Sequence, residues 1–170
     1  MSVQAQVEPL NGTLPGVSWQ WDPETDILSG GFKGSRKAGG YTGTIELTDD
    51  VGSIAVLDVA SGVICGLDVV VWPDVRTVPD LRAPAHLTDG RVVVVQRAGE
   101  SIESLEVDTS LAVDASPDES TFHFCIGTPR PVEVVRVADR LSIEVDHDGR
   151  LAGLWLTGVP PFPDLEDEAL

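Results

Sequence analysis

Three features of the sequence predict an all-β fold. Polar and apolar residues alternate along Thr44-Ile45-Glu46-Leu47-Thr48 and Leu141-Ser142-Ile143-Glu144-Val145-Asp146, the pattern of a strand with one buried and one wet face. β-branched residues are abundant, and 17 Gly and 12 Pro break them into short runs. No stretch carries apolar residues at i, i+3, i+4 and i+7; the segment 98–106 could form one weak helical turn at most.

From the N-terminus, 1–16 reads as an extension. A first β repeat, 17–73, follows, with strands expected near 17–21, 26–32, 42–48, 53–59 and 63–72. Asp22-Pro23-Glu24-Thr25 is a turn with Pro where a type I turn wants its fixed φ, and Ser61-Gly62 is a tight hairpin signal. A connector, 74–109, holds Pro79 and Pro84 and an extra strand near 91–97. Its continuous run Val92-Val93-Val94-Val95 predicts a strand covered on both faces. A second β repeat, 110–160, has strands expected near 110–115, 120–127, 132–138, 140–146 and 150–157, with turns at Ser116-Pro117-Asp118-Glu119 and Asp148-Gly149. The segment 161–170 is an acidic tail.

The two repeats align through their punctuation. Gly62-Val63-Ile64-Cys65-Gly66-Leu67 lies over Gly149-Arg150-Leu151-Ala152-Gly153-Leu154, and Ser53–Val59 over Arg140–Asp146. The first copy carries extra residues in a loop rich in glycine and lysine, 33–40. Each copy reads as a five-stranded antiparallel meander whose apolar face needs a cover. The expectation is two pseudo-symmetric antiparallel meanders packed as a sandwich or partly open barrel, forming one compact domain.

Trp21-Asp22-Pro23-Glu24-Thr25-Asp26-Ile27-Leu28, with Asp58-x-x-x-Gly62-x-Ile64-x-Gly66-Leu67, resembles a small bacterial domain family of unknown function. Its members begin Tyr-Asp-Pro-Glu-Ala-Asp-Ala-Leu-Tyr and end Asp-x-Asp-Gly-x-Ile-x-Gly-Ile-Glu-Ile. Val145-Asp146-His147-Asp148-Gly149-Arg150-Leu151-Ala152-Gly153-Leu154 resembles that ending, and the likeness covers 17–73 and 110–160. The second copy lacks the family's Asp-Pro-Glu-x-Asp start. The resemblance implies a tandem β duplication and carries no activity with it.

Charge narrows function. Asp and Glu total 28 against 11 Lys and Arg, giving a net charge of −17 at pH 7. A binder of nucleic acid needs clustered cations, so none is expected. No apolar run approaches the roughly 20 residues that span a bilayer, and the N-terminus has no secretory pattern, so no membrane partner and a cytoplasmic location are expected. Cys65 and Cys125 are too few for a disulfide scaffold and read as buried free thiols.

Candidate site residues are few. Trp19 and Trp21 share one strand face, and Trp72 and Trp155 end the fifth strands; together they could line an apolar cavity between the sheets. His123 and Cys125 share the face opposite Phe122 and Phe124, and are the nearest approach to a metal site or a Cys–His pair. No metal-ligand spacing supports a metal, and no cofactor is expected. Asp22, Glu24 and Asp26 read as a solvated turn. Asp146-x-Asp148-Gly149 begins like a calcium loop but has Thr157 where the bidentate Glu belongs, so it reads as a hairpin turn. The glycine-rich segment 30–37 lacks the phosphate-loop Gly-Lys-Ser/Thr order. The expected function is therefore a non-catalytic binding module acting on a basic protein partner. A protein that binds a hydrophobic small molecule in a Trp-lined cavity, or acts on it as an enzyme, and a self-associating homo-oligomer are the alternatives.

Overall fold

The computed structural model describes residues 3–10, 12–32, 42–85, 87–95 and 104–163. The glycine- and lysine-rich loop 33–40, His86, residues 98–103 of the weak helical turn and the tail 164–170 lie outside them.

No helix occurs among the described residues, and all regular structure is β. The strands are β1 (Ala5–Pro9), β2 (Gln20–Trp21), β3 (Leu28–Gly31), β4 (Gly43–Thr48), β5 (Ile54–Ala60), β6 (Val63–Val71), β7 (Val75–Thr77), β8 (Thr88–Val94), β9 (Ser104–Asp108), β10 (Leu111–Ala115), β11 (Phe122–Ile126), β12 (Val132–Ala138), β13 (Leu141–Asp146) and β14 (Leu151–Leu156). They join into one curled sheet of 14 strands that forms a half-barrel.

Neither repeat is a meander. In the second half the order is β10-β11-β14-β13-β12, so the fifth strand returns between the second and the fourth. The first half has the corresponding order, β2-β3-β6-β5-β4. In each half the third strand leaves the second without pairing to it, and the fifth strand pairs with the second in its place. Nor is the sheet wholly antiparallel. β7 lies parallel to β10, β8 to β12 and β9 to β4. All three parallel strands come from the connector, whose length supplies the crossovers that parallel pairing requires.

Three strands were not legible as such: β1, β9 and the three-residue β7, which forms in the connector and pairs with β10. β1 forms within the N-terminal extension and pairs with β8. β9 covers 104–108 and includes the end of the segment read as a weak helical turn; Leu105 and Val107 alternate with exposed Ser104, Glu106 and Asp108, and β4 supplies the matching ladder. Val92, Val93 and Val94 of β8 are buried, as suits a strand that bridges β1, β6 and β12, but Val95 lies beyond its end and is exposed, so the run expected to be covered on both faces stops one residue short.

The hairpin turns follow the expected chemistry. Asp22 N–H donates to Ile27 O, and Ser116 N–H to Thr121 O, closing two Pro-containing loops of equal length. Ser61 and Gly62 both have positive φ, 48° and 85°, which closes a two-residue turn. The turn between β13 and β14 is longer, with Asp146 N–H donating to Arg150 O. That extra residue slips the alignment by one, so Asp58 lies opposite Gly66 while Glu144 lies opposite Gly153.

Both halves feed one core. Leu28, Ile45, Leu57, Ile64 and Leu67 from the first meet Phe124, Leu141, Ile143, Leu154 and Leu156 from the second, all fully buried. Each such side chain contributes about 1.5–3 kcal/mol of burial. The space between the halves is thus filled where these side chains meet. The sheet's far ends are drawn together where β9 runs straight into β10: Thr109 N–H donates to Thr48 O, and Gly127 N–H to Ser110 O.

Candidate functional site

The four tryptophans do not line one cavity. Trp19 is buried, lies over Gly30, where a Cβ would collide with its ring, and donates its indole N–H to Thr157 O. Trp155 faces outward from β14, away from the core. Trp21 and Trp72 do come together, with ring centroids 5.6 Å apart and planes 27° from parallel.

That pair forms the wall of a groove at one end of the half-barrel. The groove has a volume of about 300 Å³ and is lined by Trp21, Asp26, Trp72, Val75, Glu119, Phe122 and Phe162. Its position follows from the topology. Trp21 ends β2, Asp26 sits in the β2–β3 turn and Glu119 in the β10–β11 turn. Phe122 begins β11, and Trp72 and Phe162 lie just beyond the fifth strands. Trp72 bridges the halves, 5.2 Å from the Phe122 ring and 5.7 Å from the Phe124 ring. Phe162 stands edge-on to Trp21 at 5.3 Å and 77°. Phe122 is buried, whereas Phe162 is 42% exposed.

The polar atoms of the groove divide cleanly. Trp21 Nε1 donates to Pro160 O at 2.8 Å and Trp72 Nε1 to Asp26 O at 2.9 Å, so neither indole N–H faces a ligand. Among the described residues, the remaining polar residues of the lining are Asp26 and Glu119, both exposed and both acidic. An apolar floor under two anions suits a cation carried on an apolar stem.

His123 and Cys125 face outward, opposite buried Phe122 and Phe124. They belong to a second constellation on the outer face of β11, β14 and β13. His123 stacks on Trp155 at 4.2 Å and 20°. Glu144 accepts from His123 Nε2 at 2.9 Å and from Trp155 Nε1 at 3.1 Å. In register, Asp114, His123, Trp155, Ser142 and Arg136 form a row across the strands, ended by the Arg76–Asp114 and Arg136–Asp89 ion pairs. β13 and β14, at the middle of this row, are buried nearly throughout.

The constellation does not build a nucleophile. Burial pushes the Cys125 thiol up, and the negative charge of Glu144 adds to it, so the sulfur is held protonated. Its S–H points at Gly127 O, 3.5 Å away, rather than at His123. Cys65 is likewise pushed up by burial and by Asp58. Among the described residues no group of three or more His, Cys, Asp or Glu side chains is placed to hold a metal ion.

The remaining motifs resolve as turns. Asp22 Oδ1 accepts from Glu24 N–H. Asp146 Oδ1 accepts from the N–H groups of Asp148 and Arg150, and its Oδ2 from Arg130. Burial works to raise the Asp146 pKa, but Arg130 and the two backbone donors outweigh it and hold the carboxyl below its usual range. Arg130 also donates to Ile126 O, Thr128 O and Leu151 O, pinning the far end of the half-barrel.

Sequence reasoning missed Phe162, Glu144 and the pairing of Asp26 with Glu119. Asp26 and Glu119 share a legible signal, since each lies in a Pro-containing turn of the same length. Nothing in the sequence marks Phe162, which reaches the groove only because the chain crosses back after β14. No family model matches the chain, and no curated protein matches it either.

Proposed function

We propose that this chain is a non-catalytic binding module whose partner is a basic protein, gripped at the aromatic groove. The observation that carries this reading is the groove's composition: Trp21, Trp72, Phe122 and Phe162 for the floor and walls, Asp26 and Glu119 at the rim. The net charge of −17 favours encounter with a positively charged surface and repels anionic ligands. The protonated Cys125 and the satisfied Glu144 argue against acyl or thiol chemistry at the outer face.

The test is a titration of the full chain with a basic peptide, followed by indole fluorescence at low and high salt. Binding is expected at low salt, weakening as salt screens the rim carboxylates. It should fall in the Asp26→Asn/Glu119→Gln double variant. Binding that ignores both salt and the double variant would overturn the reading. The apolar lining also favours a second reading, a hydrophobic small molecule in the same groove. That reading predicts salt-independent binding of a neutral aromatic compound, retained in the double variant and lost in Trp72→Ala.

A further inference from the structure

We infer that the group read by the groove is the guanidinium of an arginine side chain presented by the partner, an inference that rests on the reading just given. Among the described residues, the groove's lining holds no Lys, Arg, His or hydroxyl side chain, and both indole N–H groups are spent on backbone carbonyls. A phosphate, carboxylate or sugar would find no side-chain donor there and would meet two carboxylates. The ligand must supply donors and positive charge.

Between the two cationic side chains, the geometry favours arginine. A lysine ammonium is compact and strongly hydrated, with donors pointing in three directions; an aromatic floor leaves those donors unpaired. A guanidinium is planar and weakly hydrated above and below its plane. It can lie against an aromatic face while its in-plane N–H groups reach a carboxylate. The groove offers both surfaces at once. Trp21, Trp72 and Phe162 meet at angles of 27° and 77°, and the acceptors Asp26 and Glu119 stand at the rim rather than on the floor. A volume of about 300 Å³ is at the small end for ligand sites, right for one side chain rather than a large metabolite. The excess negative charge makes a basic protein the source of that side chain.

The experiment compares peptides that share lysine-rich flanks and differ at one central residue: Arg, Lys or citrulline. Each is titrated into the full chain at low salt, alongside free arginine amide. The Arg peptide is expected to bind about fivefold or more tighter than the Lys peptide, with citrulline weakest. Phe162→Ala should bring the Arg and Lys affinities together. Phe162 is half exposed, so this variant should fold normally, and its thermal unfolding checks that it does. Lys binding as tightly as Arg would overturn the inference while leaving the docking reading in place. Failure of all three peptides to bind would overturn both. Free arginine amide binding as tightly as the Arg peptide would overturn the assignment to a protein partner.

Discussion

Glu144 lies across Gly153, the residue directly opposite it on the neighbouring strand. A Cβ at position 153 would overlap Glu144 Oε1 and stand 2.6 Å from Phe124 O. The missing side chain is what lets the carboxylate turn along the sheet to reach His123 and Trp155 together. Asp58 and Gly66 stand in the same relation in the first half, where a Cβ would meet Asp58 Oδ2 at 2.8 Å.

Gly153→Ala should therefore destabilise the fold by about 1–3 kcal/mol, because β11 and β13 flank β14 and neither can yield. Glu144→Leu should cost about 1–3 kcal/mol by leaving buried Trp155 Nε1 without an acceptor, and Glu144→Gln should cost less. Denaturant unfolding of the single and double variants measures both. Strict additivity between Gly153→Ala and Glu144→Leu would contradict the contact, since touching residues couple.

Asp58 is shifted in the opposite direction to Asp146. Burial raises its pKa, and the Asp68 charge raises it further. The folded state thus prefers the protonated carboxyl. The stability this contributes is complete below the unfolded value of about 3.9 and is lost as pH rises through the folded value. Asp58→Asn should be more stable than the parent at neutral pH, with the gap closing on acidification. A gap that stays constant across the titration would show that Asp58 is not held this way.

Cys125 should react slowly with a maleimide at neutral pH. In a Cys65→Ser background the rate should climb steadily with pH beyond the ordinary thiol value of about 8.5. Glu144→Gln removes the nearby negative charge and should speed the reaction at every pH below that value. A neutral-pH rate matching a small free thiol would mean that the sulfur is more exposed or more ionised than its surroundings allow.

Much of the architecture was readable because strand formation is local. Thr44–Thr48 and Leu141–Asp146 alternate, and alternation decides which side chains face inward whatever lies opposite. The turns Asp22–Ile27 and Ser116–Thr121 were readable for the same reason, since Pro and the residues beside it choose the loop. The order of strands was not. Placing β6 between β3 and β5, and β14 between β11 and β13, is a choice among ladders that all satisfy the same backbone groups, and packing of the whole sheet makes it.

The aromatic groove shows the same division. Sequence alone pointed to an all-β fold, a strongly acidic chain and tryptophans in or beside strands. Tertiary structure alone decided that Trp21 meets Trp72 while Trp19 is buried over Gly30 and Trp155 turns outward. It also brought Asp26 and Glu119, far apart in the chain, to one rim. Which face a side chain takes is set by its neighbours in sequence. Which other side chains it meets is set by how the sheet curls, and that depends on burying both halves in one shared core.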